Sequence, residues 1–215
     1  MRNLALGSAI VLCTTPALAH HPLAGAPMDT FTHGVLSGIG HPILGFDHLF
    51  FIIAVGIVAA YTGRALIAPL GYVAGMLAGC TLIMGGIALP AVEFVIAASL
   101  VVGGAVLMSG RALSAPVAMA LFGALGLFHG WAFGESLAGQ EGGAAISVAA
   151  GYLIGLSVSQ WAIAIAAGFL VTRAIGALEA TALPARLTGG MVAGAGAFLV
   201  LEAAESAAFS ALGLG

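Results

Sequence analysis

The chain has 215 residues, 61% of them hydrophobic and 6% charged, and it contains no lysine. A soluble domain carries about 25% charged residues, so the composition excludes a soluble globular protein. The formal net charge of -3 leaves no basic surface for nucleic acid.

Residues 1–19 combine Arg2, an apolar run from Leu4 to Cys13 and the small-x-small ending Ala17-Leu18-Ala19. These are the marks of a secretory signal peptide cleaved before His20. Bulky Leu12 before Cys13 argues against lipid attachment, and the mature chain keeps Cys80 alone, so it can form no internal disulfide. Residues 20–40 read as an N-terminal segment on the outer side, and 41–215 as an all-α transmembrane domain. Apolar runs, each of about the length that crosses a hydrocarbon core of roughly 30 Å, predict six helices near 43–61, 65–89, 91–109, 113–133, 144–172 and 188–212. Small residues spaced by four, Gly71-x3-Gly75-x3-Gly79, Gly151-x3-Gly155 and Gly190-x3-Gly194, predict close helix packing and offer faces for a homo-oligomer.

A cleaved signal peptide leaves the new N-terminus outside. Six spans then place the loops around Arg64, Arg111 and residues 172–186 inside, and those loops hold all four remaining arginines, as the positive-inside rule requires. Both termini fall outside. So do Asp29, Asp47, Glu93, Glu135, Glu141, Glu202, Glu205 and the six histidines, while Glu179 alone stays with the arginines. A charge in the bilayer costs roughly 2.5–3.5 kcal/mol, so carboxylates at these helix ends need partners, water or a cation.

The first predicted helix opens with His41-Pro42-Ile43-Leu44-Gly45-Phe46-Asp47-His48. Proline suits a first helical position, which makes His41 a boundary residue and sets Asp47 and His48 one to two turns deeper. Seven residues on a regular helix separate His41 from His48 by about 10 Å. Joint binding of one ion therefore requires an irregular helix start. Further on, Phe128-His129-Gly130-Trp131-Ala132-Phe133-Gly134-Glu135 puts His129 and Glu135 on different faces unless the two glycines let the helix unwind. Glu93 follows Pro90 at a helix start, where the helix dipole alone favours a carboxylate. Glu202 and Glu205 share a face, either as a solvated rim or as a second acidic cluster.

These motifs resemble those of the HupE/UreJ family of bacterial membrane proteins. The likeness rests on His-x5-Asp-His at His41, Asp47 and His48, and on Phe128-His129-Gly130-x-Ala132 followed by Glu135. It implies a signal peptide followed by six helices in the bacterial inner membrane, an association with hydrogenase or urease maturation, and secondary transport of nickel or cobalt. It also implies His41, Asp47, His48, Glu93, His129 and Glu135 as metal-site residues. Family members often carry a further histidine where Phe133 stands here, and a methionine at Ile52.

Imidazole and carboxylate together suit divalent first-row metals. The expectation is a non-enzymatic permease taking up Ni²⁺, or Co²⁺, from the periplasm with no permanently bound cofactor. Its uptake would fall as histidine protonates near a reference pKa of about 6.5. His20, His21 and Glu202 are secondary metal candidates, although a terminal tail is usually poorly ordered. Met76, Cys80, Met84 and Gln160 are candidates for the path inward, although methionine and cysteine commonly serve as packing. Two alternatives stand beside this reading: a haem-binding electron-transfer subunit with His48 and His129 as axial ligands, and an accessory protein that hands on metal without transporting it.

Overall fold

The computed structural model describes residues 28–139 and 145–213; the expected signal peptide, His20, His21 and Glu141 lie outside the described residues. The described chain is helical, with no strand among those residues. In order it forms α1 (Phe31–Leu44), α2 (Phe46–Ala60), α3 (Pro69–Met84), α4 (Val92–Met108), α5 (Ala115–Ala138), α6 (Ile146–Phe169, continued by a π-helical turn Leu170–Ala174) and α7 (Leu183–Ala211).

Helices α5, α6 with its π turn, and α7 are long and apolar enough to cross a membrane, and α1 with α2 makes a fourth candidate bent by 84°. Against the six predicted spans, α3 and α4 are apolar but only 16 and 17 residues long. Proline sets the start of α3 at Pro69, and the chain leaves it through Gly85 and Gly86, the latter in the left-handed region at φ 75°. Exposed Phe46, Ile146, Phe169, Phe198 and Leu201 ring the bundle, a surface suited to lipid rather than water.

The start of the first predicted span needs correction. Pro42 does not open a helix; it sits in the last turn of α1, which begins eleven residues earlier at Phe31, where the Thr30 side chain accepts a hydrogen bond from the His33 backbone N–H, 3.1 Å. Proline supplies no N–H to the preceding turn, and α1 ends two residues later. A new helix starts beyond Gly45.

Glycine governs how the helices meet. A Cβ at Gly71, Gly75 or Gly79 of α3 would run into the backbone of Met119, Gly123 or Leu127 of α5, so the two helices run parallel at near backbone contact. In the same way Gly34, Gly38, Gly151 and Gly155 join α1 to the first half of α6, and Gly56 and Gly168 join α2 to its second half. Gly104, Gly189 and Gly196 join α4 to α7 in antiparallel register. The third predicted seam does not form: a Cβ at Gly190 or Gly194 meets nothing within 4 Å.

This arrangement sorts the charges by end. Asp47 and Glu93 open α2 and α4, and Glu135 and Glu202 close α5 and α7; the arginines lie at the other ends of these helices and of α6. There Tyr61 Oη donates to the Ala177 carbonyl (2.8 Å) and Arg186 Nε to the Met108 carbonyl (2.9 Å). Trp131 donates to the Ile87 carbonyl near the acidic end, while Trp161, from the middle part of α6, reaches the Leu66 carbonyl on the arginine side, both at 2.9 Å.

Overpacking a tight seam costs on the order of 3 kcal/mol. Gly75→Val should therefore lower the thermal unfolding midpoint in detergent sharply, whereas Gly190→Val, facing open space, should leave it within experimental error.

Candidate functional site

The 84° turn between α1 and α2 folds the His41 end of one helix over the Asp47-His48 start of the next. Gly45 at the corner is buried, and a Cβ there would stand 2.8 Å from the His48 ring and 3.2 Å from Asp47 Oδ1. The corner thus needs glycine for space rather than for φ, which is an ordinary -86°. It brings the His41 and His48 ring centroids to 6.3 Å. The irregular helix start that joint binding requires is present.

His129 completes the group from α5. It is fully buried, and its Nδ1 lies 2.8 Å from His48 Nδ1. Its Nε2 lies 2.8 Å from Ser99 Oγ of α4. The Ser99 hydroxyl donates its one hydrogen to the Ile96 carbonyl, 2.6 Å, so toward His129 it can only accept. Neutral His129 then carries its proton on Nε2 and presents a lone pair at Nδ1, to which His48 Nδ1–H donates. His48 in turn bears its lone pair on Nε2. A similar argument fixes His41: the Tyr152 hydroxyl donates to the Phe133 carbonyl (2.9 Å), so the 2.8 Å contact with His41 Nδ1 places the proton on that nitrogen. Ser136 Oγ is a second neighbour of His41 Nδ1, at 3.3 Å. Each imidazole is thereby held in one tautomer by a neighbour, as metal-binding histidines commonly are.

Aromatic rings wall the cluster. Phe51 stacks on His129 at 4.3 Å, and Phe133 lies 4.2 Å from the His48 ring and 5.1 Å from that of His41. Phe133 thus packs against two of the three imidazoles. The His48 and His129 rings contact each other directly, with centroids 5.0 Å apart.

The carboxylates are arranged around this group rather than in it. The Asp47 carboxylate accepts from its neighbour's backbone, His48 N–H, at 2.8 Å. With Glu93 and Glu202 it lines a groove of about 310 Å³. Glu135 is exposed while His129 is buried, because α5 stays regular through Gly130 and Gly134. Those glycines pack on Met76 and Cys80 instead of unwinding. Glu205 does not line the groove. Among the described residues no three of His, Cys, Asp and Glu converge closely enough to hold an ion as they stand.

The candidate path residues on α3 separate. Cys80 donates to the Gly130 carbonyl at 3.1 Å and lies 3.8 Å from Met76 Sδ, both residues being buried, while Met84 is 46% exposed. Gln160 is fully buried on α6. Sequence reasoning missed Ser99, Ser136 and Tyr152, which orient the imidazoles; a lone serine or tyrosine in an apolar run gives no motif.

An apolar helical bundle with a broken helix and oriented imidazoles at its acidic end defines a membrane protein with an internal polar site. The HupE / UreJ protein family model matches residues 8–199, and the chain belongs to that family. It is 33% identical over 193 residues, 89% of this chain and 97% of the relative, to Protein HupE of Rhizobium leguminosarum bv. viciae. No solved structure matches it.

Ser99→Ala would leave His129 Nε2–H buried without an acceptor, at a cost of about 1–3 kcal/mol. Tyr152→Phe should cost less, about 1 kcal/mol, because half-buried His41 keeps Ser136 nearby. Thermal unfolding of the two variants in detergent checks the order.

Proposed function

We propose that this protein is a permease for a divalent transition metal, Ni²⁺ or Co²⁺, which it takes up from the periplasm across the bacterial inner membrane to supply hydrogenase or urease maturation. The observation that carries the reading is the corner at Gly45, which gathers His41, His48 and His129 from three helices beside an acidic groove. Broken helices with their termini at a buried site are a recurring construction of secondary transporters.

The chemistry follows from the geometry. Asp47, Glu93 and Glu202 concentrate a hydrated cation at the groove. Metal–imidazole bonds of about 2.0–2.1 Å at right angles need nitrogens about 3 Å apart, so the His48–His129 pair at 2.8 Å has to turn its rings and open only slightly. The His48 proton moves from Nδ1 to Nε2 as it does so, and His41 Nε2 supplies a third nitrogen. Phe133 keeps the imidazole count at three, which leaves remaining positions to water or carboxylate and weakens preference among first-row metals. Inward movement of a divalent ion is driven by the membrane potential, about 4.6 kcal/mol per 100 mV for two charges.

Helix directions support six crossings. Helices α3 and α5 run parallel, α1–α2 runs parallel to α6, and α4 runs antiparallel to α7, as six alternating spans demand. The arginine end is then cytoplasmic by the positive-inside rule. The exposed face carrying Gly190 and Gly194 is available to a second copy.

Uptake of ⁶³Ni and ⁵⁷Co by cells lacking other importers tests the reading. Asp47→Asn should lower the initial rate about tenfold and His129→Ala should abolish it; equal uptake by both variants and the wild type would contradict the site.

A further inference from the structure

The proposed outer site leaves the rest of the membrane to be crossed, and buried polar atoms mark one place on the way. Among the described residues, Ser37 Oγ, Tyr72 Oη and both amide atoms of Gln160 are buried without a hydrogen-bond partner. Native structures keep few such atoms, and each calls for a specific reason such as a water or an ion. Gln160 stands out because its oxygen and its nitrogen are both unpartnered and the residue is 0% exposed.

Its position is informative. Tyr152, Leu156, Gln160, Ala164 and Gly168 recur every four residues and are all buried, so they form one ridge, or stripe, that winds slowly around α6 as it descends. At the top of the stripe Tyr152 holds His41. At the bottom Gly168 lines a groove of about 330 Å³ on the arginine side, together with Gly56, Thr172 and Arg173. Eight residues of helix, about 12 Å, separate Gln160 from each. It lies midway between the imidazole cluster and the opposite groove, with apolar Leu156 and Ala164 as its neighbours on the stripe. The other two unpartnered groups lie near the outer cluster: Ser37 four residues before His41, and Tyr72 with its ring 6.1 Å from that of His129.

We propose that Gln160 is the transit ligand for the cation at the middle of the membrane, receiving it after it leaves the imidazoles and releasing it toward the arginine-side groove. This rests on the permease reading above. A neutral amide oxygen suits the task, because an ion in transit must be held strongly enough to enter and weakly enough to leave. A carboxylate at that depth would bind a divalent ion too tightly.

The test compares wild type, Gln160→Leu and Gln160→Asn, purified and reconstituted in liposomes with an inside-negative potential, by ⁶³Ni uptake, and measures Ni²⁺ binding to each in detergent. Gln160→Leu should lose at least tenfold in initial rate with binding unchanged within twofold, and Gln160→Asn, which keeps the amide, should retain more of the rate. Wild-type uptake matched within twofold by Gln160→Leu overturns the transit ligand alone; wild-type liposomes that take up no nickel overturn the permease reading and the transit ligand with it. Should Gln160→Leu fail to assemble, Gln160→Cys in a Cys80→Ala background decides. Modification by a small cationic thiosulfonate, slowed by Ni²⁺ and absent from Cys80→Ala alone, supports the proposal, and no modification overturns it.

Discussion

The corner at Gly45 is the constraint on which the site depends. A straight helix would carry His41 and His48 about 10 Å apart along one axis; the 84° bend reduces their ring separation to 6.3 Å and turns Asp47 toward the groove it shares with Glu93. The bend is stable because each arm has its own support. Helix α1 lies at near backbone contact on the first half of α6 through four glycines, and α2 lies on the second half through Gly56 and Gly168. A side chain at Gly45 would meet the His48 ring it serves to position. Packing and site geometry are therefore one problem, solved by residues with no functional groups.

Hydrogen bonding then fixes which nitrogens can act. One hydrogen on Ser99, committed to a helix carbonyl, determines the tautomer of His129 and through it that of His48. One hydrogen on Tyr152, committed to the Phe133 carbonyl, does the same for His41. In a low-dielectric interior such chains are costly to leave incomplete, so each imidazole is held in one tautomer, with the lone pair of His129 on Nδ1 and those of His48 and His41 on Nε2. Carboxylates stand outside this inner group, on the groove lined by Asp47, Glu93 and Glu202.

Much of this was legible in the sequence, and the exceptions have physical causes. The apolar runs located α2 through α7 to within several residues, and the arginine and acid placements foretold the two ends of the bundle. The His-x5-Asp-His and Phe-His-Gly motifs pointed to the family that the comparisons show. The sequence does not reveal helix α1 because Gly34, Ser37, Gly38, Gly40 and His41 dilute its hydropathy, although Gly34 and Gly38 are what let it lie on α6. The role of Pro42 was misread because proline suits a helix start and also weakens a helix end. Gly190 and Gly194 carried the spacing of a seam, but Gly189 and Gly196 face α4; spacing alone does not give rotation. His129 and Glu135 stayed apart because Gly130 and Gly134 are consumed in packing against α3.

In the proposed permease the corner and α5 present their imidazoles to a single ion. Nickel K-edge X-ray absorption of the purified, nickel-loaded protein reads that coordination. The expected nickel environment is two to three imidazole nitrogens completed by oxygen, with one imidazole lost in His48→Ala. An all-oxygen shell, or a spectrum unchanged by that substitution, would contradict it.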